Sequence, residues 1–232
     1  MLFRSAKRAL PRKVPLMQTR SDAEEHLRII RSLMEKATIY RAISAPTALV
    51  GGLASIIAAC ALSAAIPPGA EFVFRHRLIF LIGWLTVLAI TAAANTWFLW
   101  RDARRRGDVF LSAGMRAAVR AFSPSYLAAA FFTALLAKPS PELLPPIWML
   151  FYGLGLLATQ HFAPRSIAVL GWAFFLTGPL LIISDMAGIF ESLGVIRHAN
   201  LAMGTTFGLF HLIYAACTWP RGASGAGIGG TP

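Results

Sequence analysis

LLPPIWMLFYGLGLLATQHFAPRSIAVLGWAFFLTGPLLIISDM, residues 143–186, decides the fold. It holds two apolar runs, Leu143–Phe162 and Ser166–Met186, with only Ala163-Pro164-Arg165 between them. Each run is close to the ~20 residues that cross a bilayer as a helix. A turn that short folds one span directly against the other. The stretch is therefore a membrane hairpin.

The rest of the chain repeats the theme. Of 232 residues, 56% are hydrophobic and 14% charged, and the mean hydropathy is +0.62. Soluble domains carry about 25% charged residues. So few polar side chains cannot cover so apolar a core, and lipid must cover part of it. Four further apolar runs are read at Ser44–Ile66, Leu78–Trp100, Arg120–Ala137 and Ala199–Trp219. The fold class is an all-α, polytopic bundle of six transmembrane helices over residues 44–220. In the third run Pro124 is expected to open the span, with a short interfacial helix over Leu111–Ala121 before it. Gly178-Pro179 is expected to kink the fifth span. Trp97, Trp100, Trp148 and Trp219 lie near span ends, as in aromatic belts. Gly51, Ser55 and Ala59 in the first span, and Gly204 and Gly208 in the last, provide small faces for close helix packing. Cys60 and Cys217 fall inside apolar runs near opposite membrane faces and read as small buried apolar residues.

Ahead of the first span, Ser21-Asp22-Ala23-Glu24 reads as a capping box. It opens a helix expected from Asp22 to about Ile43, within a segment 21–43. Leu27, Ile30, Met34 and Ala37 make an apolar stripe. Glu24 with Arg28, and Arg31 with Glu35, are spaced to pair. Such a basic amphipathic helix either lies in the headgroup plane or docks a protein partner. In the docking case Leu27, Ile30 and Met34 anchor, while Arg28 and Arg31 select. Residues 1–20 are basic, contain Pro11 and Pro15, and are expected to be a disordered tail; a transit-like leader or a start at Met17 are the alternatives. Residues 221–232 are Gly-rich and expected to be disordered.

The net charge is +12, from 22 Lys and Arg against 10 Asp and Glu. Basic residues gather at span ends and not over a soluble surface, which argues against a nucleic-acid partner. With the N-terminus inside, 18 of the 22 fall on inner segments. The positive-inside rule then puts both termini in the cytoplasm.

His26-Leu27-Arg28-Ile29-Ile30-Arg31 with Met34-Glu35, then Trp148-Met149-Leu150-Phe151-Tyr152-Gly153, Arg165, and Phe207-Gly208 with His211 follow in a set order. This order resembles a group of bacterial six-span inner-membrane proteins with no assigned activity. The resemblance covers roughly residues 25–215. It implies six helices in a bacterial cytoplasmic membrane and supplies no chemistry. The basic extension and the Gly-rich tail depart from that group.

Polar residues inside spans are costly and are the candidates for function. Asn95, Tyr152 and His211 fall at similar depths of ~8, ~15 and ~12 Å above the cytoplasmic ends of their spans. They are expected to form one intramembrane cluster if their helices adjoin. His161 lies almost at the interface and Asp185 near the outer face. A haem held between His161 and His211 is disfavoured by a depth mismatch of ~10 Å. No metal-ligand spacing recurs within the spans, and no pairing of His, Asp or Ser suits an intramembrane enzyme. Two readings remain: a non-catalytic subunit, scaffold or regulatory partner of a membrane assembly, and a small-solute or ion transporter with His211, Tyr152 and Asn95 lining an inner cavity.

Overall fold

The computed structural model describes residues 22–31, 44–65, 73–107, 110, 113–161, 163–189 and 195–219. Residues 22–31 form helix α1. Then come α2 (Ala45–Ala65), α3 (Phe74–Arg106), α4 (Ala113–Leu136), a 3-10 turn (Pro141–Leu143) leading into α5 (Leu144–Ala158), and α6 (Arg165–Met186). The last span is α7 (Val195–Met203), a π-helical segment (Gly204–Phe210) and α8 (His211–Thr218), run together. Six stretches are long and apolar enough to cross a membrane: Ala45–Ala65, Phe74–Arg105, Gly114–Leu136, Pro141–Ala158, Arg165–Met186 and Ile196–Thr218. The chain is an all-α, multi-pass integral membrane protein.

The sequence explains the helix limits. Ser44 opens α2, its hydroxyl accepting from the Thr47 N–H at 3.4 Å, as an N-cap does. Gly107 closes α3 with φ 68° and donates its N–H to the Ala103 and Arg104 carbonyls. That left-handed conformation costs glycine least. Pro145 and Pro146 stand in the first turn of α5, where a missing N–H leaves no helix bond unmade.

Two boundaries differ from the sequence reading. No interfacial helix precedes the third span, because α4 is continuous from Ala113 and carries Pro124 inside it. Proline leaves the carbonyl four residues back without its N–H. That carbonyl is Arg120, and the Ser123 hydroxyl donates to it at 3.3 Å. The second span continues past Trp100 through the arginine run as regular helix. Of the expected Asp22–Ile43 helix, residues 22–31 are helical. Ser21, Met34, Glu35 and Ala37 lie outside the described residues, as do the tails 1–20 and 221–232 and the connection 190–194. Within α1, Arg28 pairs with Glu25 at 3.0 Å.

Lipid offers helices no hydrophobic reason to associate, so close packing and polar ties must hold the bundle. The α5–α6 hairpin is the most intimate pair. A Cβ at Gly153 would lie 2.5 Å from Phe175 N and 2.7 Å from Gly171 O. Only glycine permits that approach. On the other side, α2 packs against both α3 and the last span. There the small residues serve as expected, though split between two neighbours. Ala59 meets Gly204, where a Cβ would sit 2.6 Å from the Ala59 methyl, while Gly51 faces Thr91 on α3. Gly52, beside the expected stripe, faces Leu212 and the Gly208 carbonyl, while Gly208 itself lies against Ile56. Cys60 and Cys217 are free thiols on the exterior, facing lipid and not buried as the sequence implied. Apolarity alone does not distinguish a lipid-facing position from an interior one.

Candidate functional site

Tyr152 sits midway along α5 and His211 directly follows the π-helical segment. The widened π turn sets where the next side chain points, and such turns recur at functional positions. His211 Nδ1 lies 2.9 Å from the Phe207 carbonyl, and Nε2 lies 2.8 Å from the Tyr152 hydroxyl. A carbonyl only accepts, so Nδ1 carries the proton. In the neutral ring Nε2 is then the acceptor and Tyr152 donates to it. Both ring nitrogens are used.

Aromatic rings pack this pair on several sides. Phe174 of α6 is fully buried. Its ring centroid lies 4.7 Å from Tyr152, 4.7 Å from Phe207 and 5.5 Å from His211. Phe207 stacks on His211 at 6.2 Å and 15°. Phe122 of α4 meets Tyr152 edge-on at 6.3 Å. The cluster joins α4, α5, α6 and the last span. Each well-placed ring pair contributes ~0.5–1.5 kcal/mol beyond its buried area.

The expected cluster is therefore two-thirds assembled. Tyr152 and His211 meet. Asn95 is half-buried on α3, and among the described residues no hydrogen bond joins it to either. The main neighbour of α3 is α2, and α3 reaches the last span at Trp84 and Asn200 instead. His161 is exposed just past the end of α5, while His211 is buried beside Tyr152. Among the described residues no three His, Cys, Asp or Glu gather as a metal site. In α1, Leu27, Arg28, Ile30 and Arg31 are all exposed.

Three further polar ties escaped the sequence reading. Buried Trp84 on α3 donates its indole N–H to Asn200 Oδ1 on α7 at 3.0 Å. An indole only donates, so the Asn200 amide is oriented with its oxygen toward Trp84. Asn200 is fully buried, and among the described residues its Nδ2 has no partner. Trp148 on α5 donates to Thr133 Oγ1 on α4 at 2.7 Å and stacks on Phe80 of α3 at 6.1 Å. It is a packing residue and not a belt residue. His198 at the start of the last span pairs with Asp185 at the end of α6 at 2.8 Å. The available signal was the tryptophan: an indole N–H inside a span needs an acceptor on a neighbour.

No protein family, curated protein or solved structure matches this chain.

Proposed function

We propose that this protein is a non-catalytic subunit, scaffold or regulatory partner of a membrane assembly. One observation carries the reading: four polar side-chain pairs in the spans tie one helix to another. Tyr152–His211 links α5 to the last span, Trp84–Asn200 links α3 to α7, and Trp148–Thr133 links α5 to α4. Asp185–His198 links α6 to α7. His211 has both ring nitrogens engaged within packed rings.

The proposal includes the orientation given by the arginines, with both termini in the cytoplasm of a bacterial inner membrane. It also includes kinship with the six-span proteins that the motif order resembles. The transport reading has less support, since Asn95 stands apart from the Tyr152–His211 pair.

The surface offered to a partner is α1, where Leu27 and Ile30 are 66% and 53% exposed. The double substitution Leu27→Asp with Ile30→Asp tests this. It should release a co-purifying protein while the bundle keeps its melting behaviour. Unchanged co-purification would sink the docking role of α1.

A further inference from the structure

Two buried polar atoms have no partner among the described residues: Ser63 Oγ in the last turn of α2 and Asn200 Nδ2 in the second turn of α7. The Asn200 amide cannot be turned round to cure this. Trp84 donates to its Oδ1 at 3.0 Å, and exchanging oxygen for nitrogen would set one N–H against another. Asn200 is 0% exposed, where an amide nitrogen without an acceptor is costly. Ser63 is unusual in its own way. Span hydroxyls commonly bond back to a carbonyl of their own helix. Ser55 does so to Gly51 at 2.8 Å, Thr91 to Val87 at 2.8 Å and Thr206 to Ala202 at 2.7 Å. Ser63 makes no such bond.

The helix register puts these two residues opposite each other. A Cβ at Gly208 would lie 2.7 Å from Ile56 Cγ1, and one at Gly204 would lie 2.6 Å from the Ala59 methyl. The last span therefore runs antiparallel to α2 in close contact. One turn onward along α2 from Ala59 is Ser63, and one turn back along the last span from Gly204 is Asn200. The contact continues in that direction, because α2 also packs against α7, which holds Asn200. Ser63 Oγ and Asn200 Nδ2 do not bond each other, so the gap between them exceeds one hydrogen bond.

We infer that a single water molecule is bound between α2 and α7, accepting from Asn200 Nδ2 and hydrogen-bonded to the Ser63 hydroxyl. Water accepts and donates equally well, so it suits an amide N–H on one side and a hydroxyl on the other. The close approach at Ala59 and Gly204, one turn away, limits the occupant to the smallest polar molecule. Buried waters characteristically sit where such groups lack other partners. The site extends the Trp84–Asn200 bond into a chain that joins α3, α7 and α2.

The test is a crystal structure of the full chain grown from a lipidic mesophase, at a resolution that shows ordered water. One peak of density should lie ~2.7–3.2 Å from both Asn200 Nδ2 and Ser63 Oγ. Ser63→Ala should remove that peak and leave the Trp84–Asn200 bond in place. In equilibrium unfolding Ser63→Ala should shift the balance roughly threefold toward the unfolded state, the effect of one average cross-helix polar contact. In an Asn200→Leu background the same substitution should have no such effect, because the water has already lost the amide. If Ser63→Ala fails to fold, the wild-type density decides alone. A gap without density, a direct Ser63–Asn200 bond, or a side chain filling the space overturns the inference. So does a peak that persists in Ser63→Ala, or a threefold shift that is the same in both backgrounds.

Discussion

Tyr152→Phe removes one hydroxyl from the bundle and nothing else. The ring remains against Phe174 at 4.7 Å and Phe207 at 5.3 Å, so packing is preserved. His211 keeps its bond to the Phe207 carbonyl, and only Nε2 loses its partner. A side-chain hydrogen bond between membrane helices contributes ~0.6 kcal/mol on average and up to ~1.7 kcal/mol. The 2.8 Å distance and the buried setting put this pair toward the upper end. The loss should be about 1–2 kcal/mol, a factor of roughly 5 to 30 in the unfolding equilibrium. His211→Phe keeps an aromatic ring near the same place but strands both the Tyr152 hydroxyl and the ring's backbone bond, so it should cost more. The double variant should cost less than the two singles together, by about 0.5–1.5 kcal/mol of coupling. Equilibrium unfolding in mixed micelles, scored by helical signal, gives all four corners. Zero coupling would refute the assignment of this pair as a structural tie.

Gly153→Leu should separate α5 from α6, because its first carbon alone would fall 2.5 Å from Phe175 N. We expect a loss of about 3 kcal/mol or more from overpacking, read as a lower melting temperature and faster proteolysis of the α5–α6 turn. Trp84→Phe should cost about 1–3 kcal/mol because the buried Asn200 oxygen then loses its donor. Adding Asn200→Leu to it should recover much of that loss, and the same unfolding assay reads both.

The six spans were legible because an apolar run of that length has few other fates in a folded chain. The depths of Tyr152 and His211 were legible from a fixed rise per residue. Adjacency was not. Hydropathy records that Asn95 is in a span and says nothing about where along α3 the last span makes contact, which is at Trp84 and Asn200. Pro124 misled because a span start and an interior proline repaired by Ser123 give the same local sequence. The second apolar run ends at Trp100 because hydropathy stops at the charges, yet arginine is a good helix former and Gly107, seven residues on, is what stops α3. The π-helical segment leaves no mark in GTTFGLF that distinguishes it from ordinary helix, and His211 follows directly upon it.

The most direct test of the central claim is native mass spectrometry of the wild-type protein, drawn gently from its own membranes by a C-terminal tag. The account predicts a second protein at fixed stoichiometry that is lost with Leu27→Asp and Ile30→Asp. A protein that emerges alone and drives flux of an ion or small solute in proteoliposomes, with His211→Ala abolishing that flux in a folded bundle, would contradict it.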